Sequence, residues 1–431
     1  MSIRYNLKNG NSISYEDRYE QIKNIHKLYI YIPMKKISFL IMSLALSTSV
    51  YSQQALWGGQ EIISPEIHPD NKVTFRLSAP EAKKVEVTGD FLPTQKMKTP
   101  MGETDAPGSA ALLKNEKGVW EYTTPQPLAS ELYNYSFIID GVKVTDPNNV
   151  YMSRDIASVT NIFIIGGGIG DMYNVNDVPH GTVSRTWYDS PSLGISRRMT
   201  VYTPPGYETS EESYPVFYLL HGAGGDEEAW IELGRASQIF DNLIAQGKAK
   251  PMIVVMTNGN AGQQAAPGES PRGMYKPSFM GDTRMDGAFE ESFPEVVTFV
   301  ERNYLAKTEK ADRAIAGLSM GGFHSMHISK QYPDMFDYVG LFSAAIIPPQ
   351  GDIKSNVYDN IDEKLKVQFS QNPKLYWIAI GNTDFLYKSN TDYRKTLDEK
   401  GYKYIYRESE EGHIWKNWRI YLTEFAPMLF K

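Results

Sequence analysis

The hydrophobic pattern of the chain changes at a glycine-rich stretch, residues 166–170, and this change limits what each side can fold into. Before it, runs such as residues 73–77 alternate apolar and polar side chains, which is typical of half-buried strands. After it, continuous apolar runs such as 215–220 and 252–256 alternate with stretches of helical spacing. Strands buried on both faces belong to parallel sheets that helices cover. We therefore predict an all-β domain followed by a doubly wound α/β sheet.

The first domain is predicted to be a small immunoglobulin-like sandwich over residues 58–165, because its short strands are separated by turn residues. Asp140 and Gly141 lie between two apolar segments and predict a tight hairpin turn. Residues 166–174 lack the glycine spacing of a dinucleotide-binding loop, and no helical pattern follows them. We interpret them as a flexible, Gly-rich linker to an α/β domain over residues 175–431.

The N-terminal residues have the features of an export signal. Two lysines follow Met34, an apolar run covers residues 37–46, and Ser52 is a small residue at a cleavage position. The apolar run is shorter than the about 20 residues needed to cross a bilayer, so we expect no membrane span. We predict a Sec signal peptide at residues 34–52 and export to the periplasm or the medium. Residues 1–33 are interpreted as a start assigned too early; the alternative is a genuine extension before a buried apolar segment.

Composition excludes several classes of function. The formal net charge of −7 argues against nucleic acid or an anionic membrane as a partner. With no cysteine, the chain can form neither a disulfide nor a thiolate nucleophile. No metal or nucleotide motif appears in the sequence, and we therefore expect no cofactor.

A G-x-S-x-G motif occupies residues 317–321, after the strand-like residues 313–316 and before a helical stretch. This strand–turn–helix context is what a nucleophile elbow requires, and its glycines let the chain turn sharply beneath the serine. We predict Ser319 as the nucleophile of a serine hydrolase with the α/β-hydrolase fold. The backbone N–H of Met320 is the first predicted donor to the oxyanion.

A serine hydroxyl needs a base to take its proton. Nucleophile, acid and histidine follow one another along the chain in this fold, and His413 is the histidine that comes after the elbow helix. We predict His413 as the general base. His324 and His327 lie on the elbow helix without a pattern of carboxylates, and we expect them to pack or to face solvent rather than to bind metal.

The acid must lie between Ser319 and His413, at the end of a strand. Asp384 follows the apolar run 375–380 and is the predicted acid, which would orient the imidazole. The competing carboxylates lie in a helical stretch or directly before His413: Asp392, Asp398, Glu408 and Glu410.

The glycine-rich residues 221–226 directly follow the apolar run 215–220. Glycines there let the backbone approach a substrate, and the N–H of Ala223 is the predicted second oxyanion donor. His221 is interpreted as a structural residue that holds this loop.

These motifs together resemble the esterase D-like enzymes of carbohydrate esterase family one, which include bacterial feruloyl esterases and acetyl xylan esterases. The resemblance covers roughly residues 175–431 and rests on five segments: 218–226, Trp230, 317–322, 381–384 and 412–415. It implies that Ser319, Asp384 and His413 form the catalytic triad.

A second resemblance rests on residues 64–66, 73–77, 118–120, 140–141 and 146–147. With these segments, residues 58–165 are similar to the β-sandwich carbohydrate-binding modules related to those of glycogen-branching enzymes. Both resemblances imply an exported enzyme that removes ferulate or acetate from xylan, with feruloylated or acetylated xylan and xylo-oligosaccharides as partners. Trp120, Tyr133 and Tyr135 are candidates for a sugar-stacking platform on the module; alternatively, strand alternation places some of them in its core.

A Gly-, Pro- and Met-rich segment at residues 261–290 is predicted to form a loop over the site and to shape its specificity. Trp230, Tyr275 and Trp415 are candidate aromatic walls for a feruloyl ring. A feruloyl esterase is the leading hypothesis. The alternatives are an acetyl xylan esterase with the same machinery, an acyltransferase on the same fold, and a non-catalytic polysaccharide-binding protein.

Overall fold

The computed structural model describes residues 62–99, 102–279, 285–348 and 355–431. The predicted signal peptide and the segment before it lie outside the described residues. Within the described ranges, no helix combines the length and apolarity that crossing a membrane requires.

The first domain, called the module below, consists of two antiparallel sheets and a separate two-stranded hairpin. One sheet has the order β1-β2-β8-β7, and the other has the order β11-β12-β9-β3-β6, with β10 paired to β9. The strands are β1 Glu66–Ile67, β2 Val73–Ser78, β3 Val85–Gly89, β4 Gln95–Thr99, β5 Gly102–Ala106, β6 Ser109–Ala111, β7 Leu113–Lys114, β8 Val119–Thr123, β9 Glu131–Ile139, β10 Val142–Val144, β11 Met152–Asp155 and β12 Ser158–Ile165.

The alternating residues of β2 and β3 form the core of the module, as their pattern predicts. Phe75 and Leu77 on β2 are buried together with Val85 and Val87 on β3, and they belong to one hydrophobic cluster. The predicted hairpin is confirmed as well, because β9 and β10 pair across a two-residue turn at Asp140-Gly141. Both turn residues have positive φ, 47° and 89°, as a tight hairpin turn demands.

Of the two alternatives for the aromatic residues of the module, the structure supports core packing for Trp120 and Tyr135. Trp120 and Tyr135 are only 8% and 1% exposed. The Tyr135 hydroxyl donates to Asp146 at 2.8 Å, and Tyr133 stacks on Phe163 with ring centroids 5.3 Å apart. Strand alternation turns Trp120 and Tyr135 inward, where they supply apolar area to the core, and Tyr133 packs partly buried against it.

The segment predicted as a flexible linker is instead packed against both neighbours. Residues Ile169–Met172 form a 3-10 turn, and the N–H of Gly170 donates to Ser130 of the module at 2.9 Å. The Asn242 amide donates to three backbone carbonyls of this segment from the other side. Tyr173 is fully buried, so the segment is held on both flanks.

The second domain is built on an eight-stranded sheet with the order β13-β14-β16-β15-β17-β18-β19-β20. The pairings from β16 to β20 are parallel, and β13 and β14 extend the sheet in antiparallel fashion. The strands are β13 Thr182–Ser190, β14 Ile195–Thr203, β15 Val216–Leu220, β16 Ile253–Thr257, β17 Arg313–Leu318, β18 Tyr338–Phe342, β19 Leu375–Gly381 and β20 Ile405–Ser409. This is the α/β-hydrolase sheet that the sequence predicts.

Helices connect the parallel strands. Within the described residues they are α1 Ala229–Glu232, α2 Ala236–Ala245, α3 Ala288–Asn303, α4 Met320–Gln331, α5 Ile361–Ser370, α6 Tyr387–Glu399 and α7 Trp415–Phe425. Helices α1 and α2 are separated by three residues, and Arg235, with a φ of 55°, directly precedes α2. Sequence pattern did not predict α5, of which only Leu365 and Gln368 are buried.

Parallel strands β15 and β17 are buried along almost their full length because helices cover both faces of the sheet. They lie side by side at the centre of the sheet, with Leu220 opposite Gly317 in the register. The loops that follow these two strands therefore emerge next to each other. One carries residues 221–226 and the other begins at Ser319.

The module and the α/β domain share a continuous core. Leu132 and Ile162 of the module belong to the same hydrophobic cluster as residues of β15 and α7. Arg419 of α7 is 1% exposed and donates to Glu131 of the module at 3.0 Å, and to the Leu233 carbonyl of the α/β domain at 3.2 Å. This buried arginine bonds both parts of the chain and so fixes them against each other.

Candidate active site

Ser319 lies at a sharp turn between β17 and α4. Its φ of 53° and ψ of −115° are strained for a residue with a side chain, at an order of 1–3 kcal/mol, and such strain is concentrated at functional sites. Backbone hydrogen bonds hold this conformation: the Ser319 N–H donates to Phe342, and its carbonyl accepts from Ala345, both at 2.9 Å. The turn raises the serine above the strand end, as the G-x-S-x-G motif predicts.

The glycines of the motif are required by close packing. A Cβ at Gly317 would lie 2.4 Å from the Gly321 carbonyl carbon, and one at Gly321 would lie 2.5 Å from the Leu220 carbonyl oxygen. Any side chain at either position would push α4 away from the sheet. The first turn of α4 therefore stays directly behind Ser319.

His413 and Asp384 form a hydrogen-bonded pair. His413 Nδ1 and Asp384 Oδ2 are 2.8 Å apart, and the second carboxylate oxygen accepts the Leu386 N–H at 2.9 Å. The Asp384 side chain is fully buried, whereas the His413 side chain is 16% exposed. An Nδ1–H donated to the carboxylate leaves Nε2 free to accept a proton, which is the form a general base needs.

Two of the competing carboxylates have other partners. Asp392 pairs with Lys388 at 2.5 Å, and Glu408 accepts hydrogen bonds from two tyrosine hydroxyls at 2.6 Å. Asp384 is thus the candidate acid that contacts the His413 ring.

Ser319 and His413 line the same cavity, which has a volume of about 180 Å³. Among the described residues, no hydrogen bond joins the serine hydroxyl to the imidazole in this arrangement. Catalytic hydrogen bonds of this kind are often long before substrate binds and tighten in the reactive complex. The structure brings the nucleophile and the base to one space, with the acid behind the base.

One predicted oxyanion donor lies on a loop that lines this cavity, and the other directly follows Ser319. Ala223 and Gly222 line the cavity, and Met320 is the first residue of α4, where a helical N–H has no acceptor within the helix. A Cβ at Gly222 would lie 2.5 Å from Leu318 and 3.2 Å from Ser319, so glycine lets this loop reach the nucleophile.

His221 holds the candidate oxyanion loop, residues 221–226, as predicted. One ring nitrogen hydrogen-bonds the Gly222 carbonyl at 2.7 Å, and Nε2 accepts the Gly259 N–H at 2.8 Å. Burial lowers the pKa of His221 to about 4, so the ring is neutral at neutral pH. The neutral tautomer with hydrogen on Nδ1 satisfies both contacts.

A buried ion network lies behind the same loop, and sequence reasoning missed it. Arg198 is 4% exposed and donates to Glu227 at 2.8 Å and to Glu228 at 3.0 Å. Glu227 also accepts the Asn258 amide at 3.0 Å and the Ala266 N–H at 2.8 Å. The signal available in the sequence was the acidic run directly after the glycines. The contacts of Glu227 and Glu228 fix the residues at which this loop ends.

The predicted aromatic walls are only partly found. Trp415 lines the cavity, and so do Trp418 and Phe279, which sequence reasoning missed. Trp230 is not a wall: it is 1% exposed, and its ring packs edge-on behind Trp415 at 5.3 Å. Tyr275 borders an adjoining cavity of about 350 Å³.

The module also reaches this candidate catalytic cavity. Arg154, Asp155 and Ile156, at the turn between β11 and β12, line it together with Ser319 and His413. Local sequence patterns could not reveal this contact, because it joins segments far apart in the chain.

His324 and His327 are packing residues, which confirms one of the two predicted roles. Both are buried, and His324 Nδ1 hydrogen-bonds Glu290 at 2.8 Å. The His327 ring packs on Phe323 with centroids 4.4 Å apart. They attach the elbow helix to its neighbours and do not face the cavity that Ser319 lines.

Comparison with known families gives two matches. The Esterase family model matches residues 190–429. The model of carbohydrate-binding module 48, the isoamylase N-terminal domain, matches residues 63–151.

Among curated proteins, the endo-1,4-beta-xylanase/feruloyl esterase of Xylanibacter ruminicola is 29% identical over 378 residues, which are 86% of this chain and 46% of that protein. The chain spans about half the length, or less, of the first curated relatives it matches. Among solved structures, a CE1 ferulic acid esterase from Anaeromyces mucronatus has 23% identity and a TM-score of 0.49, covering 60% of this chain and 95% of its own. The enterobactin esterase of Shigella flexneri has 17% identity and a TM-score of 0.56, covering 83% of this chain and 92% of its own. This last likeness shows the fold.

Proposed function

The chain belongs to the Esterase family, and from that premise we propose that it is a serine carboxylesterase that removes feruloyl groups from plant cell-wall xylan. The observation that carries the proposal is the shared cavity of Ser319 and His413, with Asp384 hydrogen-bonded behind the imidazole. A strained serine, an oriented base and a buried acid are the parts that acyl transfer to a hydroxyl requires.

In the first half-reaction, the Ser319 hydroxyl oxygen attacks the ester carbonyl carbon while His413 Nε2 takes its proton. The carbonyl oxygen becomes an oxyanion, and the N–H groups of Met320 and Ala223 stabilise it. Asp384 stabilises the imidazolium. The tetrahedral intermediate then expels the sugar alkoxide, which receives the proton from His413, and the acyl group stays on Ser319.

In the second half-reaction, His413 takes a proton from a water molecule, whose oxygen attacks the acyl carbonyl carbon. Collapse of the second tetrahedral intermediate releases the free acid, and His413 returns its proton to the Ser319 oxygen. The enzyme is thereby restored, and the net reaction adds one water across the ester bond.

The lining of the cavity supports an aromatic acyl group. Trp415, Trp418 and Phe279 border it, and flat rings of this kind pack well on a hydroxycinnamoyl ring. The volume of about 180 Å³ is below the roughly 300–1,000 Å³ of sites that enclose drug-sized ligands. We infer that the cavity takes the acyl group and that the sugar chain lies outside it.

The adjoining cavity is our candidate for that sugar. It shares Gly225 and Asp226 with the catalytic cavity, and Asn260, Lys276 and Tyr275 border it. Amide, ammonium and phenol groups suit the hydroxyls of a sugar chain.

We further propose export through the signal at residues 34–52, to the periplasm or the medium, and a carbohydrate-binding role for the module at residues 58–165. Both fit an enzyme whose substrate is an extracellular polysaccharide. The match of the module family at residues 63–151 supports the second role.

The test compares the purified chain with Ser319→Ala on methyl ferulate, feruloylated xylo-oligosaccharide and acetylated xylan. We expect ferulate release by the wild type and its loss in Ser319→Ala. Ser329→Ala is the matched control, because Ser329 is a buried serine on the same helix α4 that bonds only the carbonyl one turn back, at 3.2 Å.

Three results would contradict the proposal. Acetate release without ferulate release would identify an acetyl xylan esterase. Ester formation with an added sugar, in place of free acid, would identify an acyltransferase. Turnover that persists in Ser319→Ala would remove the nucleophile from the scheme.

A further inference from the structure

The turn between β11 and β12 carries contacts that a separate binding module would not need. Its residues Arg154, Asp155 and Ile156 line the catalytic cavity. The register pairs Asp155 with Ser158, so that Ile156 and Ala157 form a two-residue turn at the tip. This tip lies against the oxyanion loop, residues 221–226.

Arg154 ties the tip to the end of that loop. Its guanidinium donates to Asp226 Oδ2 at 2.6 Å and to the Ile156 carbonyl at 3.1 Å. The Asp226 side chain is 2% exposed, and its other oxygen accepts the Glu228 N–H at 3.0 Å. The arginine thereby connects the turn to the residue where the oxyanion loop ends and α1 approaches.

Ile156 is held in a conformation that β-branched residues avoid. Its φ is 54°, in the left-handed region where isoleucine is a genuine outlier. Its side chain lies on Gly224, because a Cβ built there would meet Ile156 Cδ1 at 2.8 Å. Gly224 itself has a φ of 77° and directly follows Ala223. Local strain that the surroundings maintain points to a function for the tip.

The tip has a rigid base. Ser153, on the same strand, is buried and donates to the Glu232 carbonyl of α1 at 3.4 Å. The buried Arg419–Glu131 pair fixes the neighbouring strand β9 to α7. The module therefore cannot withdraw from the oxyanion loop without breaking buried contacts.

We propose that Arg154 and Ile156 are positioning residues. They hold the oxyanion loop in the conformation in which the Ala223 N–H donates a hydrogen bond to the developing oxyanion. The inference rests on the proposed ester hydrolysis. It gives the module a role in catalysis on every ester, including small ones that no sugar-binding surface can contact. A displaced donor lowers the rate of the chemical step more than it weakens substrate binding.

The decisive variant is Ile156→Gly, assayed on 4-nitrophenyl acetate. Glycine adopts the left-handed conformation without strain, so Tm should stay the same or rise. The contact with Gly224 is lost, and we expect kcat to fall about ten- to a hundredfold, with KM changed less than about twofold. A stable protein with a slow chemical step is a result that a purely structural role would not produce.

Arg154 provides a second measurement. Arg154→Ala should lower kcat to a similar extent, and Arg154→Lys should recover most of it, because lysine keeps the charge opposite Asp226. Asn71→Gly is the matched control: Asn71 also has a positive φ, 63°, at a turn of the module, and it does not line the catalytic cavity. Its kcat should equal that of the wild type.

Two results would overturn the inference. The first is an unchanged kcat in Ile156→Gly and Arg154→Ala while Ser319→Ala is inactive. The second is a loss of kcat that only follows the loss of folded protein measured by circular dichroism. Turnover that persists in Ser319→Ala would instead overturn the proposed function, so the two failures are distinguishable.

Discussion

The two sides of Ser319 are built in different ways. On one side, His413 keeps part of its ring exposed and is held by one carboxylate and by the rings of Phe385 and Trp418. On the other side, the oxyanion loop at residues 221–226 is fixed by the neutral His221, by a buried network of arginine and glutamate, and by the module.

The difference follows from the chemistry on each side. A general base must exchange protons with substrate and water, so part of its ring must be accessible to both. An oxyanion donor works by being in place before charge develops, so its loop gains from rigidity. Variants on the imidazole side should therefore impair activity at little cost in stability, and variants of the buried charged network behind the oxyanion loop should impair both.

The largest effect is expected from His413→Ala. Without the base, Ser319 keeps its proton, and kcat on methyl ferulate should fall about 10⁶-fold. Tm should change little because the ring is partly exposed, and steady-state kinetics with thermal unfolding checks both. His68→Ala, on the module, is the control. A loss of less than a hundredfold would point to a different base.

Asp384→Asn should lower kcat about 10⁴-fold while the fold is kept. An amide favours the wrong imidazole tautomer, with its proton on the nitrogen that should act as base. The matched control is Asp392→Asn, whose exposed carboxylate pairs with Lys388 and should leave kcat unchanged. Equal rates for the two variants would exclude Asp384 as the acid.

On the oxyanion side, Glu227→Gln should lower the free energy of unfolding by about 3–5 kcal/mol, because it leaves the buried Arg198 short of a charge partner. We also expect kcat to fall about tenfold as the loop loosens. Glu269→Gln is the control: Glu269 also pairs with Arg198, but its side chain is 59% exposed, and its loss should cost under about 1 kcal/mol. Urea unfolding measures both, and similar losses would contradict the buried network.

The smallest effect concerns pH and His221. Burial lowers its pKa from 6.5 to about 4, so below pH 6.5 the unfolded chain takes a proton that the folded chain refuses. Stability from this group is complete above pH 6.5 and is lost as pH falls toward 4, by up to about 3 kcal/mol. Urea unfolding across this range should show a steeper loss in the wild type than in His221→Gln. Parallel curves would mean that the imidazole is not held neutral.

The candidate triad could be predicted from sequence alone because its signals are local. A motif of five residues surrounds Ser319, and the order of elements along the chain led to Asp384 and His413. The same reasoning failed where the question was which way a side chain faces. Trp230 packs behind the cavity, and Trp120 and Tyr135 fill the module core. The residue type alone does not show whether an aromatic ring is buried in a core or faces a ligand.

Weak periodicity explains the other misses. Helix α5 fully buries only two residues, and its few apolar residues form no clear stripe, so its pattern was not recognisable as a helix packed on a core. The glycines of residues 166–170 suggested a flexible linker, but the contacts of Ser130 and Asn242 hold this segment.

The amino-acid sequence by itself determined the two-domain order, the parallel sheet and the three residues of the candidate triad, because period and motif are properties of neighbours along the chain. Only the tertiary structure decided that Arg154 and Ile156 of the module meet the oxyanion loop. Contacts between distant segments depend on how whole domains pack, and no local pattern encodes them.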